Sequence, residues 1–207
     1  MKIVALSDLH GHLPDRIPAC DLLVIAGDIC PDYVVQREWL DTAFRSWLSR
    51  RRARHVVATW GNHDFAGEAG DVPPLPCTFL VDETIEIDGL RIHGTPWTPV
   101  CSRFAFTEDE DVLEGCFSRI PSNLDLLISH GPPHEWADLS RHGTHDGSIV
   151  LRQAVERARP RVTICGHVHR ARGSVTVPWG RVENVASLDE ARVPRAMPYV
   201  TLTHRRR

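Results

Sequence analysis

Apolar residues come in short runs that break off at polar, glycine-containing tips. Ile3-Val4-Ala5-Leu6 stops at Ser7-Asp8-Leu9-His10-Gly11-His12, and Leu22-Leu23-Val24-Ile25-Ala26 stops at Gly27-Asp28. Residues 54–59 lead into Trp60-Gly61-Asn62-His63-Asp64, 124–128 into Ser129-His130-Gly131-Pro132-Pro133, and 161–165 into Gly166-His167-Val168-His169. Continuous apolar runs of this length, rich in β-branched residues, predict buried strands. Gly61 is expected to permit a tight turn. Between the strands, Val35, Trp39, Leu40, Ala43, Phe44, Trp47 and Leu48 recur at helical spacing and predict a helix over 34–48, with Arg50, Arg51, Arg52 and Arg54 suiting its C-terminal end. A helix is predicted over 108–120, with Thr107 as N-cap and Glu110 as its capping-box partner. Another spans 148–158, stopped by Pro160.

Residues 84–94 alternate around Asp88-Gly89 and predict a hairpin. Residues 66–77, with Val72-Pro73-Pro74-Leu75-Pro76, read as a loop. The tail reads as β at 174–177, 181–186 and 199–203, with a turn at Pro178-Trp179-Gly180. Strands alternating with helices, then a β-rich end, predict an α/β fold. The expected form is a two-sheet sandwich flanked by helices, as a single domain over 1–207.

The length of 207 residues suits one domain, and 42% apolar with 25% charged residues suits a globular chain. A net charge of -3 and the absence of a basic stripe weigh against long nucleic acid and anionic membranes as partners. Six cysteines (Cys20, Cys30, Cys77, Cys101, Cys116 and Cys165) form no C-x-x-C pair. They predict free thiols in a reducing, cytoplasmic setting. Met1-Lys2 leads straight into a strand, so no signal peptide is expected. No apolar run is long enough to span a membrane.

The five tips place Asp8 with His10, Asp28, Asn62 with His63, His130, and His167 with His169 at strand ends, where α/β sheets form their sites. Carboxylates, imidazoles and an amide without cysteine suit Mn²⁺, Fe or Zn²⁺. The set exceeds what one ion needs and points to two metal ions.

Asp8-x-His10, Gly27-Asp28, Gly61-Asn62-His63-Asp64, Ser129-His130-Gly131 and Gly166-His167-x-His169, in this order, resemble the calcineurin-like metallophosphoesterase superfamily. Gly94-Thr95-Pro96-Trp97 and Ser129-His130-Gly131-Pro132-Pro133 narrow the resemblance to small metallophosphoesterase-domain proteins, whose members include phosphodiesterases. The resemblance implies a four-layer α/β/β/α fold and a small-molecule phosphate ester substrate. By the same resemblance, one metal would take Asp8, His10 and His169, the other Asn62, His130 and His167, and Asp28 would bridge them. A hydroxide held between the ions attacks phosphorus. Asn62 and His63 bind the ester, and His63 protonates the leaving group. The expected activity is phosphodiester hydrolysis; the alternatives are a phosphomonoesterase, a nucleotide hydrolase or a non-catalytic metal-binding scaffold.

One position departs from the family pattern. The acid that orients the catalytic histidine in several relatives is replaced by Pro31, with Asp32 one residue later. Asp32, Asp64 or a backbone carbonyl is left to orient His63. His12 is open between a solvated role and a substrate contact. His134 and His145, in the loop after His130, are candidates for the pocket rim. His55, His93, His142 and His204 read as ordinary residues. Trp97 and Trp136 read as loop packing rather than base-stacking platforms, and Arg205-Arg206-Arg207 as a solvated end. The sequence leaves the oligomeric state open.

Overall fold

The computed structural model describes residues 1–32, 34–100, 102–197 and 199–203. Cys101, His204 and the Arg205-Arg206-Arg207 run lie outside them.

Side chains alternate across a strand, so a strand apolar at every position must be covered on both faces. Strand β1 (Lys2–Leu6) sends Ile3 and Ala5 into one apolar cluster and Val4 and Leu6 into another. Strands β2 (Cys20–Ala26) and β3 (Ala53–Thr59) do the same and lie parallel to β1 in the order β1-β2-β3. Beyond β3 lies β4 (Thr78–Phe79), and beyond β1 the antiparallel edge strand β13 (Val200–Thr203). The second sheet runs β11 (Gly173–Val177), β12 (Gly180–Asn184), β10 (Val162–Cys165), β9 (Leu126–Ser129), β6 (Leu90–Thr95) and β5 (Glu83–Ile87). Its four central strands are parallel and its two edges antiparallel.

The two sheets bury Ile3, Leu22, Val24, Leu90, Ile92, Ile128 and Ile164 between them. The outer face of the first sheet is covered by the helical stretch over 36–49, which begins as α1 (Gln36–Trp39) and ends as α2 (Arg45–Ser49), through Leu40, Phe44, Trp47 and Leu48. The outer face of the second is covered by α4 (Glu110–Phe117) and α5 (Ile149–Ala158), through Leu113, Phe117, Leu151 and Val155. This is the expected four-layer order of helix, sheet, sheet, helix.

Several local expectations differ. The helix expected over 34–48 covers 36–49 and carries a π-helical turn at Leu40–Phe44 between α1 and α2. The segment expected as a loop begins with a short helix, α3 (Phe65–Glu68). The capping box is not formed. Thr107 lies in a two-residue strand, β8 (Thr107–Glu108), paired with β7 (Thr98–Pro99), and Asp109 holds the N-cap position of α4. Glu110 is drawn elsewhere, because the start of α5 offers free N–H donors. Its carboxylate accepts from Ile149 N and Val150 N at 3.1 Å and from Ser148 Oγ at 3.0 Å. Asp88 (φ 51°) and Gly89 (φ 79°) turn the hairpin as expected. Arg159, left-handed at φ 51°, ends α5 one residue before Pro160.

Candidate metal centre

Parallel pairing puts the carboxyl ends of β1, β2 and β3 along one edge of the first sheet. The corresponding ends of β9 and β10 meet that edge from the second sheet. His130 Nδ1 donates to Ala26 O at 2.9 Å, and His167 N donates to Asp8 Oδ1 at 2.9 Å, so each sheet grips the other at this seam. Ser7 pairs with Ala186 across it.

The chain turns sharply to present these groups. Asp8 (φ 55°), His10 (φ 41°), Asp28 (φ 51°) and His167 (φ 65°) all adopt left-handed backbone, uncommon outside glycine. Such strain gathers where the surrounding structure over-determines it. Here the loop after β1 is tied to the loop after β2 by Asp8 N to Gly27 O, His10 N to Asp28 O and Gly11 N to Ile29 O, at 2.9–3.0 Å. Asp64, fully buried, accepts from Ile29 N, Cys30 N and Gly61 N at 2.8–2.9 Å and ties the β2 loop to the β3 loop. Gly61 serves close approach rather than a positive-φ turn: a Cβ there would overlap the backbone nitrogen and carboxylate of Asp28.

Seven of the expected residues fall into two groups with one member in common. In the first, His10 Nε2 lies 3.3 Å from His169 Nε2, which lies 3.3 Å from Asp8 Oδ1. In the second, Asn62 Oδ1 lies 2.9 Å from both His130 Nε2 and His167 Nδ1. Asp28 stands between the groups. Its Oδ2 is 3.5 Å from His10 Nε2, and its Oδ1 is 3.4 Å from His130 Nε2.

Nitrogen and oxygen atoms converge here, as a cation site requires. A carbonyl only accepts, so the bond from His169 Nδ1 to Asp189 O at 2.8 Å puts a proton on Nδ1. Burial opposes charge on this ring, but Asp8 beside its Nε2 holds its pKa above the usual imidazole value. His130 Nδ1 is likewise committed to Ala26 O, so its Nε2 can bond Asn62 Oδ1 only by carrying a second proton. Burial opposes that charge, but the Asp28 carboxylate outweighs it and pushes His130 up to about 9. A proton therefore stands where the donor set could hold a metal ion. Burial pushes His10 and His167 down to about 4, leaving them neutral. Burial would raise Asp28, yet the surrounding imidazoles hold it well below the carboxylate range. Burial and the Asp28 charge push Asp64 up to about 6 against its backbone donors.

His63 stands beside both groups. Its N–H donates to Asp28 Oδ1 at 2.8 Å, and its Nδ1 lies 2.7 Å from Asp32 Oδ1. Asp32, rather than Asp64, reaches the ring. Arg192 pairs with the other oxygen of Asp32. Phe104 lies with its ring centroid 4.6 Å from that of His63. No local pattern marks Arg192, Asp189 or Phe104 in the sequence. His12 is exposed, and its backbone N–H makes a turn bond to Leu9 O. Trp97 donates to Asp82 at 2.9 Å and packs on Phe106, and Trp136 packs under Arg152 and against Trp179, so both serve loop packing.

The family model for calcineurin-like phosphoesterases matches residues 1–171. Metallophosphoesterase domain-containing protein 1 of Homo sapiens is 26% identical over 83% of this chain and 61% of its own length. UPF0046 protein T07D4.2 of Caenorhabditis elegans is 31% identical over 92% of this chain and 57% of its own length. The chain thus spans about three fifths of these two relatives. Among solved structures, TT1561 of Thermus thermophilus superposes with a TM-score of 0.61 at 14% identity, covering 97% of each chain. Phosphopantetheinyl hydrolase of Mycobacterium tuberculosis superposes with a TM-score of 0.59 at 15% identity, covering 97% of this chain and 95% of its own.

Proposed function

Because the chain belongs to the calcineurin-like phosphoesterase family of metal-dependent phosphoric ester hydrolases, we propose that it hydrolyses phosphodiesters with two metal ions, Mn, Fe or Zn. The observation that carries this reading is the Asp28 carboxylate, one oxygen turned to each donor group. Asp8, His10 and His169 would hold one ion and Asn62, His130 and His167 the other, with Asp28 in reach of both groups. Bound there, the ions supply Lewis-acid charge that activates water and neutralises the ester.

Asn62 and His63 bind the ester. His63 gives a proton from Nε2 to the leaving oxygen, because its Nδ1 is committed to Asp32. Asp32 keeps that ring turned, with its Oδ1 2.7 Å from Nδ1. Arg192 approaches from the far side of Asp32, which takes its charge. A singly charged diester suits that balance better than a doubly charged monoester. Five free cysteines among the described residues fit a reducing, cytoplasmic compartment, and no helix among them is long and apolar enough to cross a membrane.

Metal-loaded protein should hydrolyse bis(p-nitrophenyl) phosphate faster than p-nitrophenyl phosphate, and lose that turnover to a chelator. A faster monoester would shift the reading to a phosphomonoesterase. Bound metal without turnover on either would leave a scaffold.

A further inference from the structure

The long loop over 131–147 carries a second aspartate–histidine pair outside the metal donor set. Asp138 is fully buried, and its Oδ1 lies 2.7 Å from His145 Nδ1. Its Oδ2 accepts from Glu135 N at 2.9 Å and from Gly147 N at 3.1 Å. The loop itself is held from α5: Arg152 donates to His134 O at 2.9 Å and lies over the Trp136 ring at 3.4 Å. Burying a carboxylate is costly, and this one is spent on fixing the loop and one exposed imidazole.

That imidazole faces a cavity of about 440 Å³ which it shares with His134, His167, Pro99, Val100 and Ile149. The His134 and His145 ring centroids are 5.4 Å apart. The cavity also touches Glu110 and Asp146. Both acids have donors: the Glu110 carboxylate caps α5, and Asp146 Oδ1 accepts from the Thr144 hydroxyl at 2.7 Å. The Asp138 bond favours the cationic form of His145, whose pKa is raised. With Nδ1 committed to Asp138, Nε2 on the far side of the ring is the atom left to bond a ligand.

We propose that His145, positioned by Asp138 and flanked by His134, is a second anion subsite, so that the substrate carries an anionic group besides the phosphoester at the metals. The claim rests on the phosphoesterase reading for the first anion, through His167, which belongs to the metal donor set and also lines this cavity. A nucleotide phosphorylated at both ends has that chemistry.

The test is calorimetric and needs no turnover. Metal-loaded protein is titrated with thymidine 5′-monophosphate and with thymidine 3′,5′-bisphosphate. The bisphosphate should bind about 10-fold tighter or better. His145→Gln, an exposed change that removes the charge, should erase that gain and leave the monophosphate unchanged. Asp138→Asn should lower the gain in the same direction. Equal affinities in the parent protein, or a gain that survives His145→Gln, would overturn the subsite. Hydrolysis of thymidine 5′-(p-nitrophenyl phosphate) is scored separately. Its absence beside a His145-dependent gain removes the hydrolase reading and leaves the subsite standing.

Discussion

The two sheets bring different chemistry to the seam where they meet. The first supplies Asp8, His10, Asp28, Asn62 and His63, and so every carboxylate of the expected set. The second supplies His130, His167 and His169, imidazoles alone. Neither sheet completes a donor group: Asp8 and His10 need His169, and Asn62 needs His130 and His167. The negative charge that keeps His130 protonated lies on Asp28, across the seam. A cation bound here would therefore staple the sheets together as well as act on a substrate.

The largest break in that division is Asp28→Ala. It removes the carboxylate common to both groups and leaves His130 and His10 without their facing acid. Turnover should fall by about 1,000-fold or more, the scale expected when the main source of transition-state charge is lost. Thermal unfolding gives a second readout. The parent protein should gain about 3 kcal/mol from metal at 100 times its Kd. The variant should gain far less. Full activity in Asp28→Ala would sink the two-ion reading.

A smaller break lies wholly within the first sheet. His63→Ala should keep both metals, because its ring lies outside the two donor groups. Turnover should drop about 100-fold or more on esters with poor leaving groups, in the range of a lost general acid, and much less on p-nitrophenyl esters. Asp32→Asn should give a milder loss in the same direction. Metal content near that of the parent protein, with turnover on alkyl esters intact, would refute the proton-transfer role.

The same division explains what could be read from the chain. Buried parallel strands leave continuous apolar runs, so their polar tips stand out, and five tips located the donor set. The two-sheet sandwich flanked by helices was legible in strands alternating with helices before a β-rich end, and its four-layer form in the family resemblance. Tertiary contacts of long sequence span leave no such pattern. Arg192 meets Asp32 from 160 residues away, and Asp189 turns His169 through a backbone carbonyl that any residue could supply. The choice between Asp32 and Asp64 depended on where the loop after Asp28 goes. Asp64 turned out to be taken by three backbone N–H groups. Glu110 was misread for a related reason: its local spacing fits a capping box, but the start of α5, distant in sequence, presents better donors.

The smallest effect contrasts two imidazoles of the second sheet, both buried. His130 at the tip of β9 faces Asp28 and is pushed up to about 9. His93 within β6 is 1% exposed, lies 2.8 Å from the Thr84 hydroxyl and, among the described residues, has no hydrogen-bond partner at Nε2. Burial pushes it down to about 4, despite Asp82. For a base depressed on folding, the unfolded chain binds more protons between the two pKa values, so stability rises with pH across that window. His93 therefore contributes fully above about 6.5, and its contribution falls away as pH drops from about 6.5 to about 4. The loss between pH 7 and pH 4 is on the order of 3 kcal/mol. Urea unfolding of chelator-treated protein should show that slope, and His93→Gln should remove it while leaving the remaining acid response in place. An unchanged slope in His93→Gln would mean that the imidazole is charged or hydrated inside the sheet, and that the contrast with His130 is one of position alone.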